Sequence, residues 1–158
     1  MLVEMSGIPF GLMGEMLDDP NPWRGMVFGM TTRLGWSGNP RPLWKFWDEF
    51  GMQGAALYGW WNPACPVKTD NPNVLATIYT KSGKSLIALA SWASVKTNVK
   101  LAVNWQALGL DPKKTTLWAP AIEAYQREAV FAADAQIPVE PRQGWLLVAD
   151  EIPREVTR

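Results

Sequence analysis

Ten tryptophans and no histidine in 158 residues decide which chemistry these side chains could perform. Without imidazole there is no Ser-His or Cys-His nucleophile pair and no histidine-based zinc site, so catalysis would rest on carboxylates, Tyr, Lys or Arg. Paired carboxylates are what glycoside hydrolysis requires. Adjacent acids occur at Asp18-Asp19, Asp48-Glu49 and Asp150-Glu151. Asp48-Glu49 falls on the polar side of an amphipathic helix and Asp150-Glu151 follows the last strand, so both pairs are expected on the solvated surface. Asp18-Asp19 precedes a helix, whose dipole favours acids there. Glu15 differs, because the apolar run Ile8 to Gly14 could be a strand that delivers it to the end where a parallel α/β barrel carries its active site. The competing reading is a loop carboxylate satisfied by backbone N–H groups or by Arg24.

Tryptophan combines flat apolar faces with one N–H donor, which suits both core packing and stacking on sugar rings. Trp23 and Trp47 lie on helical apolar stripes, and Trp92, Trp105 and Trp145 sit at alternating positions where strands begin or end, so these five are expected in a core. Trp36, within Gly35-Trp36-Ser37-Gly38, and Trp60-Trp61, in a loop running from Gly59 to Pro63, belong to no core face. They could stack on sugars or seal a joint between domains, since both tasks draw on the same residues. The candidate carbohydrate-binding residues are therefore Glu15, Arg24, Trp36, Trp60 and Trp61. Cys65 stands alone, so there is neither an internal disulfide nor a metal-ligand cluster. No glycine-rich phosphate loop appears, and no metal or cofactor is expected. Ser37 has no histidine to activate it and lacks the nucleophile-elbow spacing.

The elements that must position these residues follow from composition and periodicity. Fifteen basic residues balance fifteen acidic ones, which leaves no footprint for nucleic acid and no polybasic patch for a membrane. At 47% hydrophobic the chain can bury a core. Its first ten residues lack a basic n-region and are broken by Gly7 and Pro9, so they do not read as a signal peptide, and no apolar stretch is long enough to span a bilayer. Localisation stays open. The beginning, apolar and strand-like from Leu2, reads as a truncation. All seven methionines and ten of the thirteen glycines lie at or before Gly59, while eleven of the fifteen basic residues follow Val67. The seam between them, Trp61 to Pro72, is rich in proline and turn formers and reads as an ordered connector.

Before that seam, Asn21 caps a helix opened by Pro22 and built on Trp23, Met26, Val27, Met30 and Leu34. A second helix, announced by Asn39-Pro40-Arg41-Pro42, carries Leu43, Phe46, Trp47 and Phe50 and stops at Gly51. Val3 to Met16 and Ala55 to Trp61 read as short buried strands or strand-like loops. After the seam, Val74 to Tyr79 and Leu86 to Trp92 form a hairpin through Lys81-Ser82-Gly83-Lys84. Val99 to Trp105 alternates with period two and leads into a helical turn at Ala107-Leu108-Gly109. Strands are expected at Thr115 to Trp118, Ala129 to Ala132, Ile137 to Val139 and Trp145 to Val148. The chain is thus mainly β with an N-terminal α/β segment: residues 1–66, then an antiparallel β-sandwich over 67–152, then a tail over 153–158.

Four stretches carry a family likeness. Ile8-Pro9-Phe10-Gly11-Leu12-Met13-Gly14-Glu15-Met16-Leu17, Asn21-Pro22-Trp23-Arg24-Gly25-Met26, Pro42-Leu43-Trp44-Lys45-Phe46-Trp47-Asp48-Glu49-Phe50-Gly51 and Gly144-Trp145-Leu146-Leu147-Val148 resemble the C-terminal part of large bacterial glycoside-hydrolase-like proteins, in the group related to glycoside hydrolase family 123. The resemblance implies that the two helices belong to the closing elements of a catalytic (β/α)8 barrel and that the remainder is the β-sandwich following it. It also implies that the family's adjacent Asp-Glu catalytic pair lies upstream of Met1, so no catalytic residue is carried over. Three functions stay open: a glycoside-hydrolase fragment that is not catalytic alone, a carbohydrate-binding accessory module, and a structural joint. The partners these imply are a glycan ligand or a second copy of the chain covering exposed barrel-tail surface.

Overall fold

A computed structural model describes residues 21–29 and 39–157. The first helix, α1 (Pro22–Val27), starts as expected: the Asn21 side chain accepts the Arg24 N–H at 3.1 Å, and Pro22 occupies the first turn. It ends at Val27, short of the expected Met30 and Leu34, which lie outside the described residues. Gly29 closes it locally at φ 76°, its N–H donating to the Met26 carbonyl at 3.2 Å. The sheet adds to this closure: the Tyr79 hydroxyl donates to the Met26 carbonyl at 2.5 Å and the Thr77 hydroxyl donates to the Val27 carbonyl at 2.6 Å. Side chains of the sheet thus hold the end of a helix too short to stand alone.

The second helix, α2 (Arg41–Phe50), buries Leu43, Phe46, Trp47 and Phe50 along one stripe. Gly51 closes it at φ 72°, and its N–H donates to the carbonyls of Trp47 and Asp48. The Lys81 ammonium donates to the Gly51 carbonyl, so the end of the helix is tied to the sheet.

Nine strands follow: β1 (Ala56–Tyr58), β2 (Val67–Thr69), β3 (Val74–Lys81), β4 (Lys84–Ser91), β5 (Thr97–Val103), β6 (Thr116–Ala119), β7 (Ala129–Ala132), β8 (Gln136–Val139) and β9 (Gly144–Asp150). A short helix, α3 (Trp105–Leu108), joins β5 to β6. One antiparallel sheet has the order β1-β3-β4-β9-β6-β7, and a second has the order β2-β5-β8. The hairpin pairs Lys81 with Lys84 around Gly83, as the sequence predicts. The connector holds more than turns, because Val67, Lys68 and Thr69 pair with Val103, Ala102 and Leu101. β1 pairs with β3, so residues on both sides of Val67 share the larger sheet.

The larger sheet is apolar on both faces because both are covered. Ile78, Ile87, Leu89, Leu117, Trp145 and Leu147 point into a core shared with the smaller sheet. Tyr79, Leu86, Ala88, Leu146 and Val148, of opposite parity, pack against Trp23, Met26, Leu43 and Phe46 of the two helices. Alternation with period two therefore shows as a continuous apolar run in β4 and β9, as in a strand buried on both sides.

Two expectations about single residues are corrected. Trp105 opens α3 instead of ending a strand, and it is only partly buried against the first core. Asp150 is buried, unlike its exposed neighbour Glu151, because the Arg154 guanidinium binds both of its oxygens, one at 3.0 Å.

Close approach fixes the centre of the sheet at Gly144. A Cβ there would lie 1.7 Å from the Leu89 carbonyl oxygen. Gly144→Ala should cost at least ~2 kcal/mol in urea unfolding, the scale of overpacking; an unchanged midpoint would contradict this strand spacing.

Burial pushes the hydroxyls of Tyr79 and Tyr125 well above the ordinary tyrosine range. For a raised pKa the stabilisation is fully present below the unfolded value of about 10 and is lost as pH rises from there towards the folded value. The unfolding midpoint should therefore fall above about pH 10. The Tyr79→Phe/Tyr125→Phe double variant should lose less stability over that range, and an equal fall in both proteins would show the tyrosines are not responsible.

Candidate functional site

Arg24, Trp60 and Trp61, expected from sequence as binding candidates, converge at one end of the larger sheet. Glu15 and Trp36 lie outside the described residues. Trp60 and Trp61 occupy the turn after β1 and are 38% and 41% exposed. Their rings stand perpendicular, with centroids 6.0 Å apart. Two residues that sequence reasoning did not select complete the cluster. Phe28, just past α1, stacks on Trp61 at 5.9 Å and meets Trp60 and Trp92 edge-on, each at 6.3 Å.

Trp92 corrects the expectation of a core residue, being 36% exposed. It continues the parity of Leu86, Ala88 and Ala90, which face the helices, but it lies one residue beyond the end of β4. Parity selects a face; it does not say how far the covering layer reaches. The Arg24 guanidinium lies 4.7 Å over the Trp92 ring and donates to the Ser91 carbonyl at 3.2 and 3.3 Å. The remaining tryptophans expected in a core, Trp23, Trp47 and Trp145, are buried.

One hydroxyl organises the cluster. Thr77 Oγ1 is buried, accepts the Trp60 backbone N–H at 3.1 Å and donates to the Val27 carbonyl at 2.6 Å. It thereby fixes the loop that carries Trp60 and Trp61 against the helix end that carries Phe28. Asn73 is held beside them, since its backbone carbonyl accepts the Trp92 backbone N–H at 2.7 Å. Nearby, the Cys65 sulfur lies 3.3 Å from the carbonyl oxygens of both Tyr58 and Val67, either of which can accept its one S–H, and burial raises its pKa, so it rests as a neutral thiol.

A larger cleft of about 720 Å³ lies between α2 and the β6–β9 side of the sheet. Two of its cations are engaged on aromatic rings: Lys84 sits 4.7 Å over Phe50, and Arg154 sits 4.5 Å over Trp118 while also binding Asp150. On its α2 rim Glu49 pairs with Lys45 at 3.5 Å in full solvent, a contact of little energetic weight.

Comparison with known families divides the chain between α1 and α2. Residues 39–150 match the family model described as Glycoside hydrolase 123, C-terminal domain, and residues 1–35 match the one described as Glycoside hydrolase 123, TIM-barrel domain. No curated protein and no solved structure matches significantly.

The role of Thr77 is separable from simple packing. Thr77→Val keeps the shape but removes the donor and the acceptor, and should cost about 1–3 kcal/mol while increasing acrylamide quenching of the exposed tryptophans. Thr77→Ser should restore most of both properties. Equal losses in the two variants would mean that the methyl group, and not the hydroxyl, matters.

Proposed function

The chain belongs to the glycoside hydrolase 123 family, and from that premise we propose that its described residues serve as the non-catalytic C-terminal part of a carbohydrate-active enzyme. The state of the carboxylates carries this reading. Glycoside hydrolysis needs one carboxyl kept protonated and a second kept available as base or nucleophile. Among the described residues Asp150 is the buried acid, and Arg154 holds both of its oxygens. Glu49, Asp111 and Glu140 pair with lysines at the surface, and Glu128 accepts the Trp118 indole N–H. Asp48 and Glu123 face solvent. None combines burial with a free proton-transfer position.

The docking of α1 supports the same reading. The barrel-domain match covers residues 1–35. Within that stretch α1 is held by Tyr79 and Thr77 of the sandwich, so the sandwich works as a clamp on the closing helix of a barrel. A second role is favoured by a separate observation, the exposed aromatic cluster. In that reading Arg24, Trp60 and Trp61, with Phe28 and Trp92 beside them, contact carbohydrate, and Glu15 and Trp36 remain candidates on sequence grounds.

Two measurements test these roles. The chain should show no turnover of aryl glycosides; hydrolysis that persists in Glu15→Gln would place a working carboxyl among the described residues and overturn the non-catalytic assignment. Titration with neutral and acidic glycans should change intrinsic tryptophan emission, and constant emission across the whole panel would remove the carbohydrate-contact role.

A further inference from the structure

The aromatic cluster encloses an open cavity of about 360 Å³, lined by Phe28, Trp60, Pro72, Asn73, Leu75 and Trp92. Small-molecule sites run from roughly 300 to 1,000 Å³, so this one suits a single ring better than an extended chain. None of its six lining residues is charged. The nearest cations are turned onto backbone carbonyls: Arg24 onto Ser91, and Lys68 onto Trp60 and Asn62 at 3.5 and 3.3 Å. The walls nevertheless carry free polar groups. Among the described residues, the indole N–H groups of Trp60 and Trp92 and the Asn73 carboxamide have no hydrogen-bond partner in the protein, and all three residues are exposed.

We propose that this cavity binds the terminal residue of a neutral glycan. The apolar face of a pyranose packs against the Trp60 and Trp92 rings, and its hydroxyls take the Asn73 carboxamide and the indole N–H groups. A sugar ring presents that combination, an apolar face rimmed by hydroxyls, whereas a buried protein joint would leave these donors unsatisfied. The inference rests on the carbohydrate-contact role and changes which residues perform it. Trp61 does not line the cavity. Its ring lies against Gly59, where a Cβ would meet it at 2.4 Å, and stacks on Phe28. Trp61 and Arg24 are thus positioning residues, and Trp60, Trp92 and Asn73 make the contacts.

Calorimetric titration of the whole chain with methyl pyranosides, neutral oligosaccharides and uronate-terminated oligosaccharides tests the assignment. A neutral oligosaccharide should bind, and the methyl glycoside of its terminal residue should compete within about threefold of its affinity. A uronate terminus should bind at least about tenfold more weakly. Trp92→Ala and Asn73→Ala should each weaken binding about tenfold or more, with unchanged circular dichroism. Affinity that grows steadily with chain length, or binding unaffected by Asn73→Ala and Trp92→Ala, would overturn the terminal-residue site while leaving carbohydrate contact intact. Absence of binding by every glycan defeats both. If Trp92→Ala then also lowers the sedimenting mass, a second copy of the chain is the occupant.

Discussion

The Thr77 hydroxyl is the point on which the rest of the structure turns. It is buried in the larger sheet, and it meets two segments that have no direct reason to be neighbours: the end of α1 and the loop after β1. A buried hydroxyl that both donates and accepts has its hydrogen bonding met by one geometry, so it sets position as well as adding stability. Tyr79, two residues along β3, binds the neighbouring carbonyl of the same helix end. Together they convert six residues of helix, too few to persist alone, into a fixed part of the fold.

That docking explains the composition of the larger sheet. A sheet open to water on one face alternates apolar with polar residues, but β4 and β9 are buried along almost their whole length. The helices supply the second cover, and the small residues Ala88 and Ala90 leave room for α1 to lie close. The first half of β9 pairs with β4 on one edge, and on the other, where β6 does not reach, the Gln126 carboxamide takes the place of a strand, accepting the Leu146 N–H at 2.9 Å and donating to the Leu146 carbonyl at 3.0 Å. Backbone groups at the heart of the sheet are thus satisfied by a side chain.

The same docking places the aromatic cluster. Phe28 and Arg24 arrive with α1, Trp60 and Trp61 with the turn after β1, and Trp92 and Asn73 at one end of the β3–β4 pair. No two of these segments are continuous in the chain, so the cluster exists only when the helix is seated. The cluster is therefore sensitive to the seating of α1, since both depend on Thr77.

Much of the fold is legible in the sequence because it rests on local physics. The caps at Asn21 and Gly51, the apolar stripe of α2, the Ser82-Gly83 hairpin and the alternating strands are all set by neighbours a few residues apart. The exclusion of histidine chemistry follows from composition alone, and the family likeness from four short stretches. What only the tertiary structure decided are the questions of cover and partnership. Periodicity put Trp92 on the helix-facing side but could not say that α1 covers it only in part, through Arg24. The rule that adjacent acids lie in water held for Asp48-Glu49 and failed for Asp150, because Arg154 folds back to meet it. Nothing near Thr77 in the chain marks it as the bridge between Val27 and Trp60, which lie 50 residues before it and 17 before it. Hydrogen bonds across such separations leave no periodic trace, since they depend on which surfaces meet and not on which residues adjoin.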